Sequence, residues 1–243
     1  MNTNDFINVQ NEVINLVFEL ENIKRREYLA QYKYINIFNN YIIEQAKLKY
    51  ENIYMLDGIK AKAENQEYNV DEKKAELETK INEFNHNLSV ANQVIDIYDK
   101  YTDEKIVELD NLYKEFTSKY HPAVNVKASK EQVHIYQMLT SVYLVGEVND
   151  FNEMYNEAKD VLTELEIEDD MDEILNVYTQ TIENLKVIIE KRKQSLPLRY
   201  EEIVYDETKI TSELSRFREA IYELRNINKN LRLDWQINFN NEF

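Results

Sequence analysis

Apolar residues recur along this chain at alternating intervals of three and four. Phe6, Val9, Val13, Leu16, Leu20 and Ile23 open the pattern, and Ile35, Phe38 and Ile42 resume it after a shift of phase. The pattern returns in Leu77, Ile81, Phe84, Leu88, Ala91, Ile95 and Tyr98, and again in Ile174, Tyr178, Thr181, Leu185 and Ile188. It closes with Ile210, Leu214, Phe217, Ile221, Leu224, Asn228 and Leu231. Sustained spacing of this kind predicts helices packed side by side as coiled-coil-like pairs. The seams can close within one chain or between two copies. Asn228 falls at a seam position, where a buried Asn fixes register or oligomer state.

These stripes place one long helix over residues 5–57, with Gly58 as a candidate break. As one helix it extends ~80 Å at 1.5 Å per residue. A second helix at 71–100 covers only part of that length, and the helix at 207–233 is a suitable partner for the rest. The expectation is an elongated all-α molecule with the N-terminal helix bridging two ends. Three consecutive segments follow: a long-helix hairpin at 1–100, a central helical module at 101–165 and a C-terminal helical hairpin at 170–243. The joint Ser195-Leu196-Pro197-Leu198 ends the helix that starts near Asp172, because Pro cannot continue a helix and restricts the residue before it.

Composition sharpens the fold class. The 243 residues include 2 Gly, 2 Pro and no Cys. Average usage gives about 17 Gly and about 12 Pro at this length. Folds that turn on Gly or Pro at every corner are excluded, as are Gly-rich phosphate loops and thiolate chemistry. Aromatic residues make up 12% of the chain, with 18 Tyr, enough to bury a core. The net charge of −17 argues against non-specific binding to nucleic acid or anionic lipid. Residues 1–20 lack the basic start and apolar block of a secretory signal, and no window is apolar enough for a membrane span. A cytoplasmic protein is expected. The acidic run Glu164 to Glu173 reads as a solvated linker. It lacks the Gly, the alternation and the closing Glu of a calcium loop.

The central module has its own grammar. Thr102-Asp103-Glu104 is a helix start, a capping hydroxyl followed by two acids. Its helix carries Ile106, Leu109, Leu112, Tyr113 and Phe116 and stops at Tyr120, before His121-Pro122-Ala123-Val124-Asn125. A polar loop leads to a facing helix with Val133, Tyr136, Leu139, Val142 and Tyr143, ended by Gly146. A short helix with Val148, Phe151, Met154 and Tyr155 follows.

Leu112-Tyr113-Lys114-Glu115-Phe116, Lys119-Tyr120-His121-Pro122-Ala123-Val124-Asn125 and Val142-Tyr143 together resemble a J domain, the module that recruits DnaK-type chaperones. The chain resembles J-domain-containing helical proteins of low-GC Gram-positive bacteria and their mobile elements. In that group the facing helix ends in a pattern that Val142-Tyr143-Leu144-Val145-Gly146-Glu147-Val148 matches, and a later Ser-Phe-Pro joint looks like Ser195-Leu196-Pro197. The resemblance implies partner-binding residues His121, Pro122, Ala123, Lys114, Lys119 and Tyr113, with His121 and Pro122 at an exposed tip between two antiparallel helices.

Two departures limit what the resemblance carries. The family's His-Pro-Asp is His-Pro-Ala here, and the methyl of Ala123 accepts no hydrogen bonds. The preceding helix, which the family makes basic, has three Lys against five acids from Thr102 to Tyr120, so charge complementarity to an acidic chaperone surface is lost. The expected function is a non-enzymatic J-domain-like interaction adaptor that does not stimulate a chaperone ATPase. Alternatives are an acidic inhibitor or nucleic-acid mimic, and a residual co-chaperone. His86, His121 and His134 have no ligand-spaced partners, so no catalytic residue, metal or cofactor is expected. The expected partner is another protein, a DnaK-type chaperone being the one the resemblance names, with a homodimer through the coil arms left open.

Overall fold

A computed structural model describes residues 3–100, 102–146, 148–165 and 171–239. It is all-α, with no strand among the described residues. The helices are α1 (Thr3–Ala63), α2 (Val70–Tyr98), α3 (Asp103–Tyr120), α4 (Lys130–Val145), α5 (Val148–Ala158), α6 (Met171–Lys193), α7 (Leu196–Val204) and α8 (Glu207–Phe239). They form two compact units. One comprises Met1–Gln31 with Val94–Glu201, the other Tyr32–Gln93 with Glu202–Phe243. The units cut across the three consecutive segments expected from the sequence, because α1 contributes to both.

In the first unit the early seam of α1 packs on α6. Phe6, Val13, Val17, Leu20 and Ile23 bury against Ile174, Tyr178, Ile182, Leu185 and Ile189. Lys186 bonds Glu12 at 2.7 Å and Lys193 pairs with Glu19 at 3.0 Å, so the two helices run parallel. The α6 seam differs from the expected one in phase. Ile182 and Ile189 are buried, whereas Ile188 is 42% exposed. A four-residue step from Tyr178 to Ile182, in place of three, carries the stripe round the helix. Pro197 sits in the first turn of α7, where its missing N–H costs nothing.

The helices α3, α4 and α5 share an aromatic core. Tyr113 stacks on Tyr143 with ring centroids 3.7 Å apart, and Phe116 stacks on Tyr136 at 5.1 Å. Phe151 and Tyr155 meet Phe116 edge-on. Thr102 caps α3 by accepting the Lys105 N–H. Ser129 and Gln132 form a reciprocal capping box on α4, which satisfies two donors at its start. Gly146 ends α4 at φ +92°, a conformation only Gly adopts without strain.

In the second unit the later half of α1 pairs with α8 in parallel and with α2 in antiparallel. Tyr34 donates to Glu213 at 2.6 Å, Phe38 packs on Phe217, and Arg225 bonds Glu44. Across the α2 pair, Asn36 bonds Asn92 at 2.8 Å and Lys80 lies over the Tyr50 ring. Asn228 is buried, donating to Glu51 and Asn52, while Arg232 donates to Asn228 and Glu51. The candidate break at Gly58 does not occur; the helix continues to Ala63. A Cβ at Gly58 would lie 2.4 Å from Trp235, so the missing side chain makes room for the buried indole.

Candidate functional site

The helix α3 stops because Pro122 denies the next turn a backbone donor and pushes His121 out of helical conformation. His121 takes φ −59° and ψ 133°, and its N–H donates to the Thr117 carbonyl. Its own carbonyl accepts from the N–H groups of Val124 and Asn125, at 2.8 and 2.7 Å. The ring closes the turn as well. Nδ1 accepts the Ala123 N–H at 2.9 Å, which leaves the proton on Nε2.

The turn is braced by three other parts of the unit. Tyr178 on α6 donates to the Val124 carbonyl at 2.6 Å. Asn125, itself buried, donates to the Thr163 carbonyl. The imidazole packs edge-on against Tyr136 at 4.9 Å. Glu21 of α1 brings a carboxylate to 3.9 Å from Nε2, beyond hydrogen-bond reach.

The expectation of an exposed tip is therefore corrected. The His121 side chain is 15% exposed, lying between α1 and α4. Burial and the neighbouring Lys24 charge push its pKa down to about 3. Glu21 pulls the other way, but protonation would also sacrifice the Nδ1 acceptor, so the neutral form prevails.

Glu21 is the residue the sequence reading missed. It is 1% exposed, accepts from Tyr113 at 3.1 Å, and pairs with Lys24 at 2.5 Å. Tyr113 also bonds Tyr136 and Thr140, at 3.1 and 3.0 Å, so the carboxylate anchors a buried chain of hydroxyls. Burial and the nearby Glu21 charge raise the Tyr136 pKa well above the usual phenol range, and Tyr113 is raised likewise. An acid one step after Leu20, four residues on from buried Val17, was the available signal. Beside it, Arg25 is buried against the Tyr143 and Tyr98 rings and donates to Asp110 on α3.

Glu21, Lys24, His121, Pro122, Tyr136 and Thr140 line a cleft of about 400 Å³ that opens to solvent. Four of the expected binding residues fare differently. Tyr113 is fully buried and belongs to the aromatic core, not to a contact surface. Lys114 lies over the Phe18 ring of α1 at 5.2 Å. Lys119 is shared between Glu115 and Glu164, each at 3.4 Å. Ala123 is half-buried against the core formed by α1 and α6.

Comparison with protein-family models, curated proteins and solved structures returns no match.

Among the described residues no group of His, Asp and Glu is arranged to hold a metal ion. No described helix is long and apolar enough to cross a membrane. His86 and His134 are both exposed on their helices. The acidic run at 164–173 has residues 166–170 outside the described residues, as does Glu147 of the α4 end pattern. The cleft pairs a neutral imidazole with a buried carboxylate, but every polar atom around His121 that has a close partner serves the turn or the hydroxyl chain.

Proposed function

We propose that this protein is a non-enzymatic protein-interaction adaptor on a J-domain-like hairpin, and that it does not stimulate a DnaK-type chaperone. One observation carries the reading: the His-Pro-Ala turn is packed beneath the protein's own first helix. His121 spends Nδ1 on the Ala123 N–H, and Ala123 backs onto apolar side chains. A chaperone docking at this turn would meet Glu21 and Lys24 of α1 in the same cleft. The flanking charges are engaged too, with Lys119 held by two acids and Lys114 over an aromatic ring.

The test is the ATPase rate of a bacterial DnaK-type chaperone with the wild-type protein and with Ala123→Asp. Neither is expected to raise the rate. The variant restores the family's tripeptide but sets a carboxylate against an apolar core, so it is expected to lower thermal stability instead. Stimulation by either protein would overturn the reading in favour of a working co-chaperone.

A further inference from the structure

On the far side of the hairpin core, α4 and α5 leave an apolar groove of about 220 Å³. Ile135, Met138, Leu139, Met154, Ala158 and Val161 line it, with Glu157 at its edge. Met138 is 45% exposed and Val161 38%. The volume exceeds the ~150 Å³ that accepts a benzene ring, so one bulky side chain fits. Two Met side chains give such a groove an adaptable wall, since an unbranched thioether follows the shape of whatever enters.

The rim is acidic. Asp150, Glu153, Glu157 and Asp160 succeed one another on α5 and the turn after it, and all four are exposed. Their spacing puts Asp150 and Glu157, four residues before and three after Met154, on the Met154 side of α5. Glu131, also exposed, precedes Ile135 by four residues on α4. Two bases adjoin these acids: Lys130 is exposed at the start of α4, and Lys159 is turned to Asn156 at 2.8 Å and over the Tyr155 ring. A wholly polar stripe would suit a mimic of nucleic acid. An apolar slot edged by carboxylates suits a ligand with one apolar face and cationic flanks.

We infer that the groove between α4 and α5 docks a cationic amphipathic helix of a partner protein, its bulky apolar anchor between Met138 and Met154 and its Lys or Arg residues on the Asp150–Asp160 rim. This names a partner class for the adaptor proposed above. It rests on that reading only in taking the protein as a binder, and it is independent of whether the His121 turn meets a chaperone. The apolar anchor supplies affinity by burial, while the rim steers approach and excludes acidic partners.

The test uses the full-length protein with its five methionines carrying ¹³C-labelled methyl groups. The probe is a short amidated helical peptide of Leu and Lys in amphipathic register, with the Leu/Glu counterpart as control. Resonances are assigned with Met138→Leu and Met154→Leu. Met138 and Met154 are expected to shift and saturate with the Lys peptide, and the buried Met55 to stay in place. Glu157→Lys is expected to weaken binding about tenfold, and Glu219→Lys on α8 by less than about twofold. Silence at Met138 and Met154 at saturating peptide overturns the inference. Equal weakening by the two reversals also overturns it, because attraction to net charge alone would then explain the binding. Neither result bears on the ATPase test of the adaptor reading.

Discussion

The two units solve the same problem, pairing long helices, by different means. The first buries a broad apolar and aromatic core, with Tyr113, Tyr143, Phe116 and Phe151 all fully enclosed. The second relies on single large residues, Phe38, Met55 and Trp235, and on polar side chains at the seam. Their charges differ as well. The first unit's sequence holds 15 basic against 28 acidic residues, a net of −13; the second holds 14 against 18, a net of −4. An aromatic core tolerates a surface of one sign because its stability comes from burial. A narrow helix seam is held by matched charges and by polar residues that specify register, such as Asn228 between Glu51 and Arg232. Both units have grooves, but the one in the second unit is lined by Lys47, Lys74, Glu51 and Glu78 together, whereas the α4–α5 groove of the more acidic unit has Glu157 as its charged lining residue.

The largest test of this contrast removes an aromatic ring. Tyr113→Ala is expected to destabilise the first unit by about 3–5 kcal/mol. Trp235, the only Trp, lies in the second unit and gives it a private fluorescence signal. Helical circular dichroism should lose stability in denaturant while the Trp235 transition holds its midpoint. Coincident movement of both signals would show that the two units unfold as one.

Acid provides the next test. The folded pKa of His121, about 3, lies below its ordinary value of about 6.5. The unfolded chain therefore binds a proton that the folded one refuses. Stability is intact above pH 6.5 and falls as pH drops towards 3, by up to about 1.4 kcal/mol per pH unit. His121→Gln should flatten that part of the profile; an unchanged slope would show that the ring titrates freely.

Two smaller changes probe the second unit. Gly58→Ala gains about 1 kcal/mol in helix propensity but forces a methyl into the Trp235 ring, which costs about 1–3 kcal/mol. The net expectation is a lower Trp235 midpoint, and a rise would mean the indole moves aside without penalty. Asn228→Ala should cost about 1 kcal/mol, read by the same fluorescence. No loss would mean that Glu51 and Arg232 satisfy one another without the amide.

How far the chain could be read depended on where the information sits. The caps at Thr102 and Gly146 and the stop at Pro122 are local chemistry, and they fall where their residues placed them. The α1 seam from Phe6 to Ile23 is equally plain, because its period matches the helix. Ile188 misled, since two adjacent Ile at 188 and 189 fit the stripe equally well until a partner chooses one. Gly58 misled more deeply. A Gly inside a helical pattern reads as a break, and only Trp235, 177 residues later, explains it as room for a ring. The exposed tip at His121 misled for the same reason: nothing beside it in the chain announces that Glu21 lies over it.

By itself, then, the sequence determined the all-α class, most helix ends and the apolar faces, because periodicity, caps and prolines act within a few residues. The tertiary structure decided which helix each face meets, that α1 changes partners from α6 to α8 along its length, and that Glu21 covers the His121 turn. Those outcomes depend on contacts between residues far apart in the chain, where the packing of one surface selects among several that the local pattern allows equally.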